Sequence, residues 1–217
     1  MFLLAGTDSR CARQIWTITR SKSVCKPASK DFYVTLGIDR FAQGFSLANN
    51  TNLGLYEELK RWPERQDRWN SAMSAMALQI DFEFIVQSLP WTSYPPGTIV
   101  ADVGGGNGTV SIGLAERLPN LQFIVQDTSE TVSGVQAPET LRGRIRFQAH
   151  DFFTEQTLAG AQVYYFRNVF HNWPDKQCIH IFRNHVPVMR HTTKLLIDDF
   201  ALHHPLTVSP FEEFRKR

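Results

Sequence analysis

The chain has 217 residues, 42% of them apolar, and a formal net charge of +2. That size suits one core-bearing domain with an appendage, and the apolar fraction excludes global disorder. Dispersed charge indicates no nucleic-acid surface, no apolar run reaches the length of a membrane span, and Cys11, Cys25 and Cys178 lack metal-ligand spacing and disulfide density, which points to a reducing, cytoplasmic compartment.

Residues 1–44 carry Arg10, Arg13, Arg20, Lys22, Lys26 and Lys30 among Ser and Thr with few acids. This composition predicts a solvated, poorly ordered tail, although it also mimics a mitochondrial presequence. Residues 49–54 read as a loop and 55–62 as a short helix stopped by Pro63. Residues 64–89 then read as one long helix with Trp69, Met73, Met76, Ile80, Phe84 and Val86 near one face. The breakers Pro90, Pro95, Pro96 and Gly97 set a domain boundary between residues 96 and 97.

The stretch that follows organises the rest. A short apolar run, 99–103, contains Asp102 and leads into Gly104, Gly105, Gly106, Asn107 and Gly108, and a helical pattern covers 109–118. Strand, tight turn and helix are predicted. Glycines let the main chain reach positive φ and let a ligand approach it, and the new helix aims its first N–H groups at the turn. The dinucleotide pattern G-x-G-x-x-G fails, because Thr109 stands at its third glycine. The spacing is instead Asp-x-Gly-x-Gly-x-Gly. On these residues alone, an ordinary glycine-rich turn remains open.

A second strand, 121–126, ends at Asp127, about 20 residues past the glycines, where a carboxylate can accept from both hydroxyls of a ribose. A capping aspartate is the plainer alternative. A third strand, 144–151, runs into His150, Asp151, Phe152 and Phe153. Residue types here allow an adenine site, with the acid on the amino group and a ring stacked, or equally a loop aspartate with buried anchors. A fourth strand, 163–166, enters Arg167, Asn168, Val169, Phe170, His171, Asn172 and Trp173. Pro174 and Asp175 then open a helix whose apolar face carries Ile179, Phe182, Val186 and Met189. A fifth strand, 194–199, ends in Asp198 and Asp199. Strands alternating with helices predict an α/β, doubly wound parallel sheet with its ligands at the carboxyl ends of the strands. The glycine turn, Asp127, Asp151, His171 and Asp199 all fall at those ends. The other histidines make no metal-site spacing.

Together, Asp-Val-Gly-Gly-Gly-Asn-Gly (102–108), Val-Gln-Asp (125–127), His-Asp-Phe-Phe (150–153) and His-Asn-Trp-Pro-Asp (171–175) resemble the plant caffeate-type and fungal O-methyltransferases that use S-adenosylmethionine, over residues 45–199. The Val-Gln-Asp and His-Asp-Phe-Phe wording is similar to that of the sterigmatocystin-type fungal enzymes of secondary metabolism. The resemblance implies a class I methyltransferase fold and S-adenosylmethionine as methyl donor, with no metal. It assigns Asp102, Gly104, Gly105, Gly106, Gly108, Asp127, Asp151, Phe152 and Arg167 to the cofactor, with Arg167 standing where the family usually has lysine. It implies His171 as general base, Asp199 as the acid that braces it, and Trp69, Met73 and Trp173 at the acceptor. An in-line transfer to a phenol fits such a histidine, since the phenol must be deprotonated to attack. The acceptor implied is a polyketide-like aromatic.

Measured against the family, 45–96 reads as a remnant of a longer helical domain for dimerisation and substrate binding, and 97–217 as a methyltransferase domain lacking its last two strands. The fifth strand is then expected to leave an exposed apolar edge, and 211–217 to begin a helix. Two functions follow from this: an aromatic O-methyltransferase, and an inactive remnant that at most binds S-adenosylmethionine or a partner chain. Thr109 disfavours a nicotinamide enzyme.

Overall fold

The computed structural model describes residues 2–6, 13–20, 48–77 and 80–200. The chain divides into two compact units: residues 25–80, and residues 1–24 with 81–217.

In the smaller unit, α1 (Leu55–Lys60) and α2 (Pro63–Ala77) follow one another. Pro63 takes the first helical position of α2, where its missing N–H costs nothing. Glu58 ties the α1 end together, accepting from Thr51 Oγ1 at 3.1 Å, Trp62 Nε1 at 3.1 Å and Arg61 Nη1 at 3.1 Å. The single helix expected over 64–89 is not formed. Asp81 starts a new helix, α3 (Phe82–Val86), by accepting from the Phe84 N–H at 3.1 Å. A side-chain acceptor at that place supplies the N-cap that a fresh helix needs. Asp81 also opens the second stretch of the larger unit, residues 81–217, so the boundary expected between residues 96 and 97 falls inside that unit. Trp91, 1% exposed, donates to the Ile85 carbonyl, and Asn120 reaches back to the carbonyls of Trp91 and Tyr94.

Seven strands form the sheet of this unit: β1 (Phe2–Gly6), β2 (Arg13–Arg20), β3 (Thr98–Val103), β4 (Leu121–Asp127), β5 (Ile145–Ala149), β6 (Val163–Arg167) and β7 (Lys194–Phe200), in the order β1-β2-β7-β6-β3-β4-β5. β5, β4, β3, β6 and β7 are mutually parallel. Helices α4 (Thr109–Arg117), α5 (Ser129–Val132) and α6 (Asp175–His185) lie on the connections. Val100, Ala101, Leu121, Val125, Val163 and Leu196 are fully buried at its centre, as expected of parallel strands covered on both faces. Burying each of these Val and Leu side chains contributes about 1.5–3 kcal/mol.

Residues 2–6 and 13–20 depart from the expected tail. β2 pairs antiparallel with β7, placing Arg13 opposite Phe200 and Thr19 opposite Lys194, and β1 pairs antiparallel with β2. The β7 edge expected to lie open is therefore hydrogen-bonded along its length. An unpaired row of main-chain N–H and C=O groups is costly, and a strand segment that can complete the ladder does so. Residues 21–44 and the helix expected at 211–217 lie outside the described residues. Among the described residues, no helix is long and apolar enough to cross a membrane.

Chain order reverses between β3 and β6. From β3 the chain winds outward through β4 and β5, then returns to the other side of β3 for β6 and β7. The crevice beyond the carboxyl ends of β3 and β6 is the switch point at which open α/β sheets bind ligands.

Candidate active site

The glycine turn leaves β3 at this switch point. Gly104, Gly106 and Gly108 have φ of 74°, 60° and 79°. Space is equally restrictive at three positions. A Cβ on Gly104 would sit 2.9 Å from Val169 Cγ2, one on Gly105 would sit 2.7 Å from the Asp102 carboxylate, and one on Gly108 would sit 2.9 Å from the Phe147 ring. Gly106 faces open space, so only its left-handed backbone selects glycine there. The Gly104 and Gly105 N–H groups both donate to the Gln126 carbonyl, at 2.7 and 3.2 Å. The turn is thereby fastened to the end of β4.

Asp127 ends β4 beside this turn. Its Oδ2 accepts from the Gly106 N–H at 2.9 Å and its Oδ1 from the Thr128 N–H at 2.8 Å. Each oxygen retains a further lone pair for a diol. Asp102 differs from expectation. It is 1% exposed, accepts from Ser111 Oγ at 2.6 Å, and packs beneath Gly105, so it buttresses the turn from inside rather than facing a ligand. Desolvation pushes its carboxyl up to about 6, against the pull of the Ser111 hydrogen bond and the Arg167 charge.

Asp151 folds its own turn, accepting from the Phe153 N–H at 2.9 Å. Phe152 lies against the glycine turn, its ring 3.7 Å from where a Gly104 Cβ would be. Phe152, Phe153 and Trp173 meet edge to face, with centroids 4.7 to 6.0 Å apart. Trp173 is thus brought to the His-Asp-Phe-Phe loop.

Val169, which touches the glycine turn, begins the segment that carries His171. Asn168 turns the chain there with φ of 55°, its N–H donating to the Asp198 carbonyl at 3.0 Å and its carbonyl accepting from Asn172 Nδ2 at 3.2 Å. His171 is 37% exposed at its side chain, and Asp199 is 5% exposed. One Asp199 oxygen sits 2.6 Å from His171 Nδ1, and the other accepts from the His171 backbone N–H at 3.2 Å. With Nδ1–H donating to the carboxylate, Nε2 becomes the basic nitrogen of the ring.

Asp198, which sequence reasoning passed over, points to the opposite face of β7. It is fully buried, and its Oδ2 accepts from Tyr165 Oη at 2.7 Å and Arg167 Nε at 3.1 Å. Arg167 is accordingly held by a buried carboxylate, a use the expected cofactor role did not include. Adjacent acids alternate across a strand, which is the one signal that would have separated them. Trp69 and Met73 lie one turn apart on α2 of the smaller unit, Met73 39% exposed. Among the described residues, no three His, Cys, Asp or Glu side chains converge on a metal-sized site.

Residues 40–205 match the model of the O-methyltransferase domain. Over 183 residues the chain is 40% identical to the grayanic acid biosynthesis cluster O-methyltransferase of Cladonia grayi, covering 82% of this chain and 40% of that protein. It is 39% identical over 160 residues to O-methyltransferase xanE of Aspergillus fumigatus, covering 71% and 37%. The solved structure of LepI in complex with S-adenosylmethionine superposes with a TM-score of 0.65 at 25% identity, over 82% of this chain and 46% of that one. The chain spans about two fifths of the length of these curated relatives. On a sheet wound as a class I methyltransferase sheet is wound, with the motifs of the family at the ends of its strands, this chain belongs to the O-methyltransferase domain family.

Proposed function

We propose that the chain binds S-adenosylmethionine at the glycine turn and transfers its methyl group to the hydroxyl of a small aromatic acceptor, polyketide-like in character. The observation that carries this reading is the His171–Asp199 pair, its histidine on the loop that abuts the glycine turn and its acid at the end of β7.

The cradle fits the donor. Three left-handed glycines shape the turn, and the Asp127 carboxylate stands at Gly106 with acceptor capacity for a ribose diol. Asp151 and Phe152 are taken to flank the adenine, Arg167 to contribute charge at the end of β6, and Trp173 to line the acceptor. When bound, S-adenosylmethionine supplies a methyl group already activated on a sulfonium, so no metal is invoked. His171 Nε2 takes the acceptor's hydroxyl proton as the new oxygen–carbon bond forms and the sulfur–carbon bond breaks. Asp199 fixes the ring's tautomer and offsets the imidazolium charge. Holding nucleophile and methyl in line supplies much of the rate. In this reading residues 45–96 belong to a helical dimerisation and substrate element, the protein works as a homodimer, and it resides in the cytoplasm.

The test is transfer of labelled methyl from S-adenosylmethionine to a panel of phenols by the 217-residue chain, beside calorimetric binding of the donor. Transfer that His171→Ala abolishes while binding persists supports the reading. Binding without transfer to any phenol supports a non-catalytic member of the family. Absence of binding by the folded chain overturns both.

A further inference from the structure

Gln126, Gln156 and His185 are each at most 1% exposed, and none takes part in the proposed chemistry. Gln126 and Gln156 form a reciprocal amide pair: Gln156 Nε2 donates to Gln126 Oε1 at 2.8 Å, and Gln126 Nε2 donates to Gln156 Oε1 at 3.1 Å. The second hydrogen of Gln156 Nε2 goes to His185 Nε2 at 3.2 Å, and its oxygen also accepts from the Leu158 N–H at 2.9 Å. His185 Nδ1 lies 2.8 Å from the Ile181 carbonyl, an acceptor only, which sets the tautomer and makes Nε2 the accepting nitrogen. Gln126 Nε2 spends its other hydrogen on Gln148 Oε1 at 3.1 Å. Gln156 therefore uses both donors and both lone pairs.

The two ends of this network reach the cradle. Gln126 is the residue whose carbonyl holds the Gly104 and Gly105 N–H groups. On the other side, the Gln156 N–H donates to the Asn184 carbonyl at 2.9 Å, and Asn184 Nδ2 donates to the Phe152 carbonyl at 3.1 Å. We infer that Gln156 is a positioning residue: it locks the end of β4 to the end of α6, and so sets the glycine turn and the Phe152 loop at a fixed separation for the donor between them. The assignment of the donor rests on the function proposed above; the lock itself does not. A fully satisfied buried polar network selects one arrangement, whereas removing one member strands its partners and releases the backbone they hold.

The experiment is hydrogen exchange by mass spectrometry on the ligand-free 217-residue chain, followed by calorimetric titration with S-adenosylmethionine. Gln156→Met keeps the volume and removes all four bonds. Exchange at 103–106 and 151–154 is expected to rise at least about tenfold while 163–167 stays protected, with the donor's Kd weakened by about tenfold. Gln156→Glu keeps both accepting bonds and loses both donations. Its protection factors at 103–106, the intrinsic rate at each pH divided by the observed rate, are expected to rise as acid protonates the new carboxyl or His185. The ionisable groups facing His185 are His150 and Tyr164, both unaltered in the variant. Unchanged protection of the two loops in both variants overturns the inference. So does protection lost equally at 163–167, and so does a Gln156→Glu response flat with pH. If Gln156→Met does not fold, Gln156→Glu decides alone. Wild-type chain that fails to bind the donor overturns the proposed function, and the exchange result still decides the lock.

Discussion

Asp199 holds His171 by two atoms, and the consequences differ for its two possible replacements. His171→Ala removes the proposed base and is expected to lower the methyl-transfer rate about 10²–10⁴-fold at saturating donor. Asp199→Asn presents an amide whose NH₂ can face the ring and turn the tautomer over, so a comparable loss is expected with donor binding intact. Single-turnover rates beside calorimetry check both. Asp102 and His185 set opposed pH dependences of stability. Burial raises the Asp102 carboxyl from 3.8 to about 6, so its contribution is full below about pH 4 and is lost as pH rises through 6. Burial lowers His185 from 6.5 to about 4, so its contribution is full above 6.5 and is lost as pH falls toward 4. Asp102→Asn should leave only the second slope. Its urea midpoint is expected to fall more steeply from pH 6.5 to 4.5 than that of the wild type.

Among elements, α4 and α3 meet with no room to spare. A Cβ on Gly113 would lie 2.1 Å from Phe82 Cζ, and Arg117 lies over the same ring at 4.3 Å. Gly113→Ala improves helix propensity by about 1 kcal/mol, but overpacking of about 1–3 kcal/mol opposes it. A net loss is expected in denaturant titration, and Phe82→Leu in the same chain should relieve it. At the far side of the sheet, deletion of residues 1–20 removes both antiparallel strands and bares β7. Concentration-dependent association is expected, read by light scattering, because an open parallel edge templates further strands.

At the scale of the whole chain, donor binding stabilises by mass action: at 100 times Kd, about 2.7 kcal/mol, seen as a rise in thermal midpoint that depends on donor concentration. Much of this molecule was legible in its sequence. The five parallel strands were readable because buried parallel strands are short apolar runs. The placement of the glycine turn, Asp127, His171 and Asp199 at strand ends was readable because each follows or closes a short apolar run. Asp102 misled, since its partner Ser111 lies on the next helix and no spacing announces it. Gln156 gave no signal, because a glutamine in an irregular loop shows its value only when Gln126 and His185 close around it. The N-terminal strands were hidden by their basic, Ser- and Thr-containing surroundings, although the alternation across residues 16–19 carries the β-branched and aromatic residues of a strand.

The neighbouring acids of β7 divide their labour by parity. Position 198 serves Arg167 and Tyr165, and position 199 serves His171 on the other face. Because a strand alternates with a period of two, the effect of a frame change in the preceding residues is not symmetric. Losing one residue between 189 and 194 would slide an aspartate into the Arg167 position and a phenylalanine opposite the histidine, sparing the buried ion pair while stripping the base of its brace. Gaining one residue would do the reverse, leaving the histidine an acid and setting an isoleucine against a buried guanidinium. Deletions in that loop should therefore yield folded, inert protein, and insertions protein that fails to fold.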